Sequence, residues 1–569
     1  MTLLQDRPEL EAAEASPPPA VAQVTESWFD TSDHKRLGLL FVYTSLLFLV
    51  AAAVVGLLVG AKDVSPGFVS SEAYLRLYGF HTQATVLLFL TAIWIGIATY
   101  VVPLQIGAGR LALPRLLATG YWSYFVGGGI YVASFLVGDV SGTTVASKPV
   151  AAVGGAANDA TKLWIVALAL ISVGFLLAAG SLFTTVVTHR SEGMTILRVP
   201  AFSWATLVAS AITLVATPVF LGGLLLFGID QHFGGTLFAP ATPGSLSIWQ
   251  HTVWLYGRPD VFLLTLVGLG AATDIVTTHA RRPLLNHTAG LGLIGVFGAL
   301  TLTTFTAGDS VTNAVIVPTY TTAVALVAAP LGALVLLWLG TSALGRPRFH
   351  VSLLFVVAAL GLWLLGAGNA IAAAAKDVKG FDGSSAWVAG NVHALVFGPP
   401  TLLAIGALYH WGPKIWGRRL HASAGALAAL LLFAGFAASG MGYYLLGYNG
   451  VPLGMTGDLT SYQKGLYGLA EGGGAAIALG VLIVISDLVA TALHRGGRPA
   501  GDDPYEGLTL EWATSSPPPR WGFDQVPEVR SEAPLAYRRE AERLAAGGDP
   551  GPVGGGAGGP AAISASAGG

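Results

Sequence analysis

Apolar and polar positions alternate along this chain in long blocks rather than in short periods. From Leu37 to about Leu493 the sequence is a series of apolar stretches of roughly 20 residues, each long enough as a helix to cross a hydrocarbon layer of about 30 Å. The pattern predicts twelve spans, near 37–60, 80–103, 119–138, 161–187, 201–228, 248–278, 288–307, 314–342, 350–373, 386–409, 421–445 and 465–493. Ten-residue alternating strands are absent, and in lipid every backbone N–H must be paired within its own segment, so the spans are helical. The expectation is an all-α integral membrane protein, a twelve-helix bundle over residues 26–495. A Pro/Ala/Glu-rich tail (1–25) precedes it. A polar extension (496–540) and a disordered Gly/Ala-rich tail (541–569) follow. No basic segment leading into a short apolar core and cleavage site is seen, so no signal peptide is expected.

Composition sharpens this. Of 569 residues, 53% are hydrophobic and 11% charged, and mean hydropathy is +0.66; soluble domains carry about 25% charged residues. A soluble globule and a disordered chain are both excluded. The net charge of −2 provides no basic field for nucleic acid. With no Cys, disulfides, iron–sulfur clusters and thiolate metal sites are excluded, leaving His, carboxylates and four Met as ligand donors. Twelve spans put both termini on one side. Loops on that side hold fifteen Lys and Arg, from Lys35 and Arg36 to Arg495 and Arg498, against seven opposite (Lys62, Arg76, Lys148, Lys162, Lys376, Lys379, Lys464). This bias places both termini in the cytoplasm of a bacterial-type membrane.

Ten of the twelve His are expected in loops or at span ends, where a wetted side chain needs no explanation: His34, His189, His232, His251, His279, His287, His350, His410, His421 and His494. His81 opens the second span and His393 lies in the tenth. His81 is near the outer face and His393 about eight residues in, roughly 12 Å. Imidazoles on two facing helices are natural axial ligands for one haem iron. The alternative is two His that each hydrogen-bond a neighbouring helix or line a wet cavity. The sixth span carries Trp254-Leu255-Tyr256-Gly257-Arg258-Pro259-Asp260-Val261-Phe262. Charges at Arg258 and Asp260 cost at least a few kcal/mol there and must face the bundle interior. Two positions apart on a helix, they reach separate partners unless Pro259 kinks the span. A structural ion pair and an ion or ligand path both remain open.

At these residues the chain resembles subunit I of the haem–copper oxidases, of the cytochrome c oxidase type, from about Asp33 to Leu535. The resemblance rests on Asp33-His34-Lys35-Arg36-Leu37-Gly38-Leu39, Val102-Pro103-Leu104-Gln105-Ile106-Gly107-Ala108, Leu113-Pro114-Arg115-Leu116, Gln250-His251-Thr252-Val253-Trp254 and Thr509-Leu510-Glu511-Trp512-Ala513-Thr514-Ser515-Ser516-Pro517-Pro518-Pro519. It implies a low-spin haem held by one His on the second helix and one on the tenth, the positions of His81 and His393. It also implies a second, high-spin haem facing a copper ion, and here the sequence departs from the family. Arg258 stands where a copper-ligating His is expected, and Phe262 where the Tyr joined to that His is expected. Leu302 and Thr303 replace a His-His pair, and Asn391 replaces the high-spin haem ligand. Leu334 aligns with the Lys of one proton path and Arg110 with the Asp that opens the other; Gly457 and Asp458 align with the Arg pair at the haem propionates. Leu, Thr and a permanently protonated guanidinium cannot replace imidazole donors.

The reading that follows is a subunit I homologue with one bis-His low-spin haem, type a or b undetermined, and no copper. It would pass electrons or serve as a partner in a respiratory complex, beside subunit II-like and III-like chains, with cytochrome c or a quinol chain as electron source. A proton-pumping oxidase with a rebuilt centre is the first alternative. A haem-free scaffold or an ion pathway through Arg258 and Asp260 is the second.

Overall fold

The computed structural model describes residues 27–28, 31–65, 67–138, 140, 158–238, 259–302, 316–375, 385–454 and 459–547, with backbone alone at 259–262, 316–325 and 370–375. Among these, thirteen helices follow one another: α1 (His34–Val64), α2 (Ser71–Gln105), α3 (Pro114–Val137), α4 (Asp159–Thr188), α5 (Ala201–His232), α6 (Pro259–Ala280), α7 (His287–Leu302), α8 (Ile316–Leu344), α9 (Val351–Ala375), α10 (Ala386–Trp416), α11 (Ala422–Tyr448), α12 (Ser461–Ala492) and α13 (Pro534–Ala545). The first twelve fall where the apolar blocks predict spans. Ten of them are long and apolar enough to cross a membrane; α3 and the shorter α7 are the others. A two-residue antiparallel ladder, β1 (Arg418–Arg419) with β2 (Arg498–Pro499), ties the end of α10 to the chain after α12.

Side-chain caps set the starts. Asp33 accepts from Lys35 N at α1, Asn158 from Thr161 N at α4 and Ser385 from Trp387 N at α10. Thr460 and Gln463 form a reciprocal capping box at α12, satisfying N–H groups that a helix start leaves open. In lipid no hydrophobic drive pulls apolar helices together, so packing depends on close backbone approach at small residues. Glycines meet glycines across four interfaces: Gly38 and Gly96 (α1/α2), Gly120 and Gly174 (α3/α4), Gly390 and Gly440 (α10/α11), and Gly435 and Gly473 (α11/α12). A Cβ added at Gly473 would lie 2.6 Å from the Gly435 carbonyl oxygen and 2.5 Å from Ser439 N.

One end of the bundle is closed by the chain after α12. Gln105 Nε2 donates to Asp274 Oδ2 (2.8 Å) and to Glu511 Oε1 (3.1 Å), and Trp411 Nε1 also donates to Glu511 (3.2 Å). Lys35 Nζ reaches the Arg520 carbonyl at 2.8 Å, and Lys414 Nζ the Thr514 carbonyl. Burial pushes the Glu511 carboxyl above the ordinary range. The histidines here correct the expectation of wetted loop residues. His34, His279 and His410 are 2%, 4% and 0% exposed, and Lys414, counted as a loop cation, is fully buried within α10. His279 stacks on His350 at 4.7 Å, and His410 on Tyr505 of the extension at 5.6 Å. The reason is tertiary: His279, His410 and Lys414 are roofed by Tyr505 and Trp512, and His34 lies against α2 with Nδ1 on the Thr99 carbonyl at 3.2 Å. Helix α13 runs through residue 541, where the sequence pattern places the start of the disordered tail.

Two measurements check this packing. Gly473→Ala should destabilise the detergent-solubilised protein by about 1–3 kcal/mol, seen as a lower thermal transition. Gly472→Ala should change little, because a Cβ at Gly472 meets nothing within 4 Å. Burial holds the His350 imidazole down at about 4, with Arg419 adding to the effect. Between that value and the 6.5 of a free imidazole, the detached extension binds more protons than the docked one. Docking therefore weakens as pH falls through that window and is constant above it. Limited proteolysis of the chain after Arg498 should accelerate from about pH 6.5 to about pH 4, and protection unchanged to pH 4 would contradict this.

Candidate functional site: a cleft between two imidazoles

Far along α1 from the roofed end (Gly56 is twenty-two residues past His34, roughly 33 Å at 1.5 Å per residue), a cleft with about 720 Å³ of empty space opens among α1, α2, α10, α11 and α12. Small residues, Gly56, Gly60, Ala389, Ala470 and Gly474, form flat walls; Tyr74, Tyr78, Phe397 and Tyr443 form aromatic ones. A lining of small and aromatic side chains with a few convergent polar groups is typical of sites that hold organic groups.

His81 and His393 both line it. Their ring centroids are 6.3 Å apart, with planes at 26°. The His81 Nδ1–H donates to the Ala52 carbonyl at 2.9 Å, and the His393 Nδ1–H to the Ala389 carbonyl at 2.8 Å. A carbonyl can only accept, so each Nδ1 carries the proton and each Nε2 keeps its lone pair. Such an orienting bond is what a metal-ligating imidazole needs from its surroundings. Gly56 makes room: a Cβ there would lie 2.8 Å from His81 Cε1. Phe397 packs edge-on against both rings, 5.8 Å from each, and Tyr443 stacks on His393 at 5.7 Å.

Both histidines sit beside a local widening of their helix. Residues Ala84–Thr91 of α2 and Val392–Phe397 of α10 form π-helical turns. Turns of this kind are rare and cluster at functional sites. The sequence pattern predicts two plain helices here, and nothing in residue spacing marks the change.

The other sequence candidates are scattered. Asn391 lies two residues before His393 and accepts from the Tyr444 hydroxyl at 3.4 Å. Leu334 is 1% exposed on α8, Leu302 is 41% exposed at the end of α7, and Arg110 is exposed after α2. Arg258, Thr303, Gly457 and Asp458 lie outside the described residues, and Asp260 and Phe262 are described by backbone only, in the first turn of α6. Sequence reasoning missed Glu471 and Tyr443 in the cleft, and Asp63, 4% exposed, which accepts from the Tyr443 hydroxyl at 2.9 Å. Acidic residues within or at the end of an apolar span were the available signal. A second cavity, of about 670 Å³ among α2, α4, α5 and α6, is lined by apolar and hydroxyl side chains, with no ionisable group among the described residues.

Comparison with known proteins identifies the family to which this fold belongs. Residues 36–472 match the family model for cytochrome c and quinol oxidase polypeptide I. Cytochrome c oxidase subunit 1 of Corynebacterium glutamicum is 30% identical over 559 residues, covering 96% of this chain and 95% of its own. The Bacillus subtilis subunit 1 is 29% identical over 534 residues, covering 90% and 83%. A haem–copper terminal oxidase dimer solved by cryo-electron microscopy shares the fold, with a TM-score of 0.63 at 16% identity over 80% of this chain and 84% of that one. With a family model spanning most of its length and a helical bundle of the same fold, this integral membrane chain belongs to the haem–copper oxidase subunit I family.

Proposed function

We propose that the chain holds one low-spin haem between His81 and His393, and that the oxygen-reducing copper centre of its family is lost. The observation that carries this is the paired imidazole geometry. An imidazole nitrogen binds a transition metal at about 2.0–2.1 Å, so two rings clasping one metal from opposite sides have centres roughly 6 to 6.5 Å apart. The observed 6.3 Å fits, as do the Nδ1 bonds to backbone that leave each Nε2 as donor. The haem would supply one-electron redox chemistry. The residues' part is to orient the ligands, give the ring flat Gly and Ala walls, and keep water out with Phe397 and Tyr443.

The lost centre is supported by residue chemistry. Arg258, Phe262, Leu302, Thr303 and Asn391 stand at the family's copper, tyrosine and high-spin haem positions, and none supplies an imidazole. Leu334, with no titratable group, stands at the lysine of a proton path. In this reading the first twelve helices all belong to membrane-crossing segments, with both termini cytoplasmic. The protein passes electrons or completes a respiratory complex with subunit II-like and III-like partners, fed by cytochrome c or a quinol chain.

Metal analysis of the purified protein should give one haem and no copper per chain. Its reduced-minus-oxidised spectrum should be that of a six-coordinate haem and indifferent to carbon monoxide. His81→Ala or His393→Ala should each abolish the low-spin bands. Bound copper, or a second haem that binds carbon monoxide, would show that an oxygen-reducing centre persists; absence of any Soret band would leave a haem-free scaffold.

A further inference from the structure

The cleft contains one carboxylate that the haem-holding role does not use. Glu471, on α12, lines the cleft with His81 and His393. A Cβ added at Gly60 would run into its carboxylate, while one at Gly56 would meet the His81 ring. Gly56 and Gly60 are one turn apart on α1, about 6 Å, so α1 offers bare backbone to the imidazole at one level and to the carboxylate at the next. Glu471 has no ion pair and no hydrogen-bond donor among the described residues, and no described Lys or Arg lines the cleft.

From this placement we propose that Glu471 is a redox-linked proton site of the bis-histidine haem. The inference rests on the one-haem reading above. A haem held by His81 and His393 would take one electron from an external one-electron donor, which would lower the positive charge beside the carboxylate by one. A proton from solvent then binds the Glu471 carboxylate, because losing a neighbouring positive charge removes stabilisation of its ionised form. Oxidation reverses both transfers. The coupling is reciprocal: if reduction tightens proton binding, protonation raises the haem potential.

The other titratable groups around Glu471 are differently placed. On α1, Asp63 accepts from Tyr443, and Lys62 donates to the Val69 carbonyl at 2.6 Å. Tyr74 and Tyr78 from α2, Tyr443 from α11 and Tyr467 from α12 are phenols, which ordinarily ionise near pH 10. The imidazoles of His81 and His393 have Nδ1 bonded to backbone, and in the one-haem reading their Nε2 would be taken up by the iron.

The test is a spectroelectrochemical titration of the haem-loaded full-length protein between about pH 5.5 and 9. In the unaltered protein the midpoint should fall with rising pH, approaching 59 mV per tenfold change in proton activity for a one-electron couple. Glu471→Gln should keep the Soret and low-spin bands but flatten the dependence, with the potential raised at alkaline pH. Asp63→Asn should retain the slope. A flat profile in the unaltered protein, or an equal slope in Glu471→Gln, overturns the proposal while leaving the one-haem reading standing. A protein that takes up no haem fails at the absorption spectrum, before any potential is read, and overturns both.

Discussion

Close backbone approach between helices is the constraint on which the arrangement depends. An apolar helix gains little by moving from lipid to another apolar helix, so association must come from contact area and dispersion. Glycine-on-glycine crossings bring α1 against α2, α10 against α11, and α11 against α12. Those helices also wall the cleft. With bulkier residues at Gly38, Gly390 or Gly473 the helices would separate, and the imidazoles of α2 and α10 would no longer lie 6.3 Å apart.

The same device acts inside the cleft. Gly56 and Gly60 leave α1 without side chains where an imidazole and a carboxylate lie against it. Polar groups in an apolar slot are costly unless satisfied. The Nδ1 protons of both histidines go to backbone carbonyls, the Tyr443 hydroxyl goes to Asp63, and each Nε2 remains open to the cleft. The π turns that follow His81 and contain His393 complete the arrangement.

At the opposite end the same principle produces a seal. Gln105, Asp274 and Glu511 come from three distant parts of the chain and meet in one hydrogen-bonded cluster where none is exposed. The extension past residue 500 is therefore part of the bundle's closure. Its Tyr505 and Trp512 bury histidines that would otherwise meet water.

How much was legible follows from what each signal reports. Helix positions and membrane character were readable because apolar block length is a local property set by the thickness of lipid. His81 and His393 were readable as a pair because imidazole within an apolar span is rare and the family resemblance puts both at the ligand positions of one haem. The depth of burial of His279, His410 and Lys414 was not, since a loop or span end looks wetted until another segment covers it. Nor was Glu471: its place beside the imidazoles arises from α12 crossing α1 at Gly60, a contact more than four hundred residues apart in the chain. By itself the sequence determined the helices, the solvent they suit and the donors they carry. Only the tertiary structure decided which donors face one another, because that depends on crossing geometry between helices that no periodicity encodes.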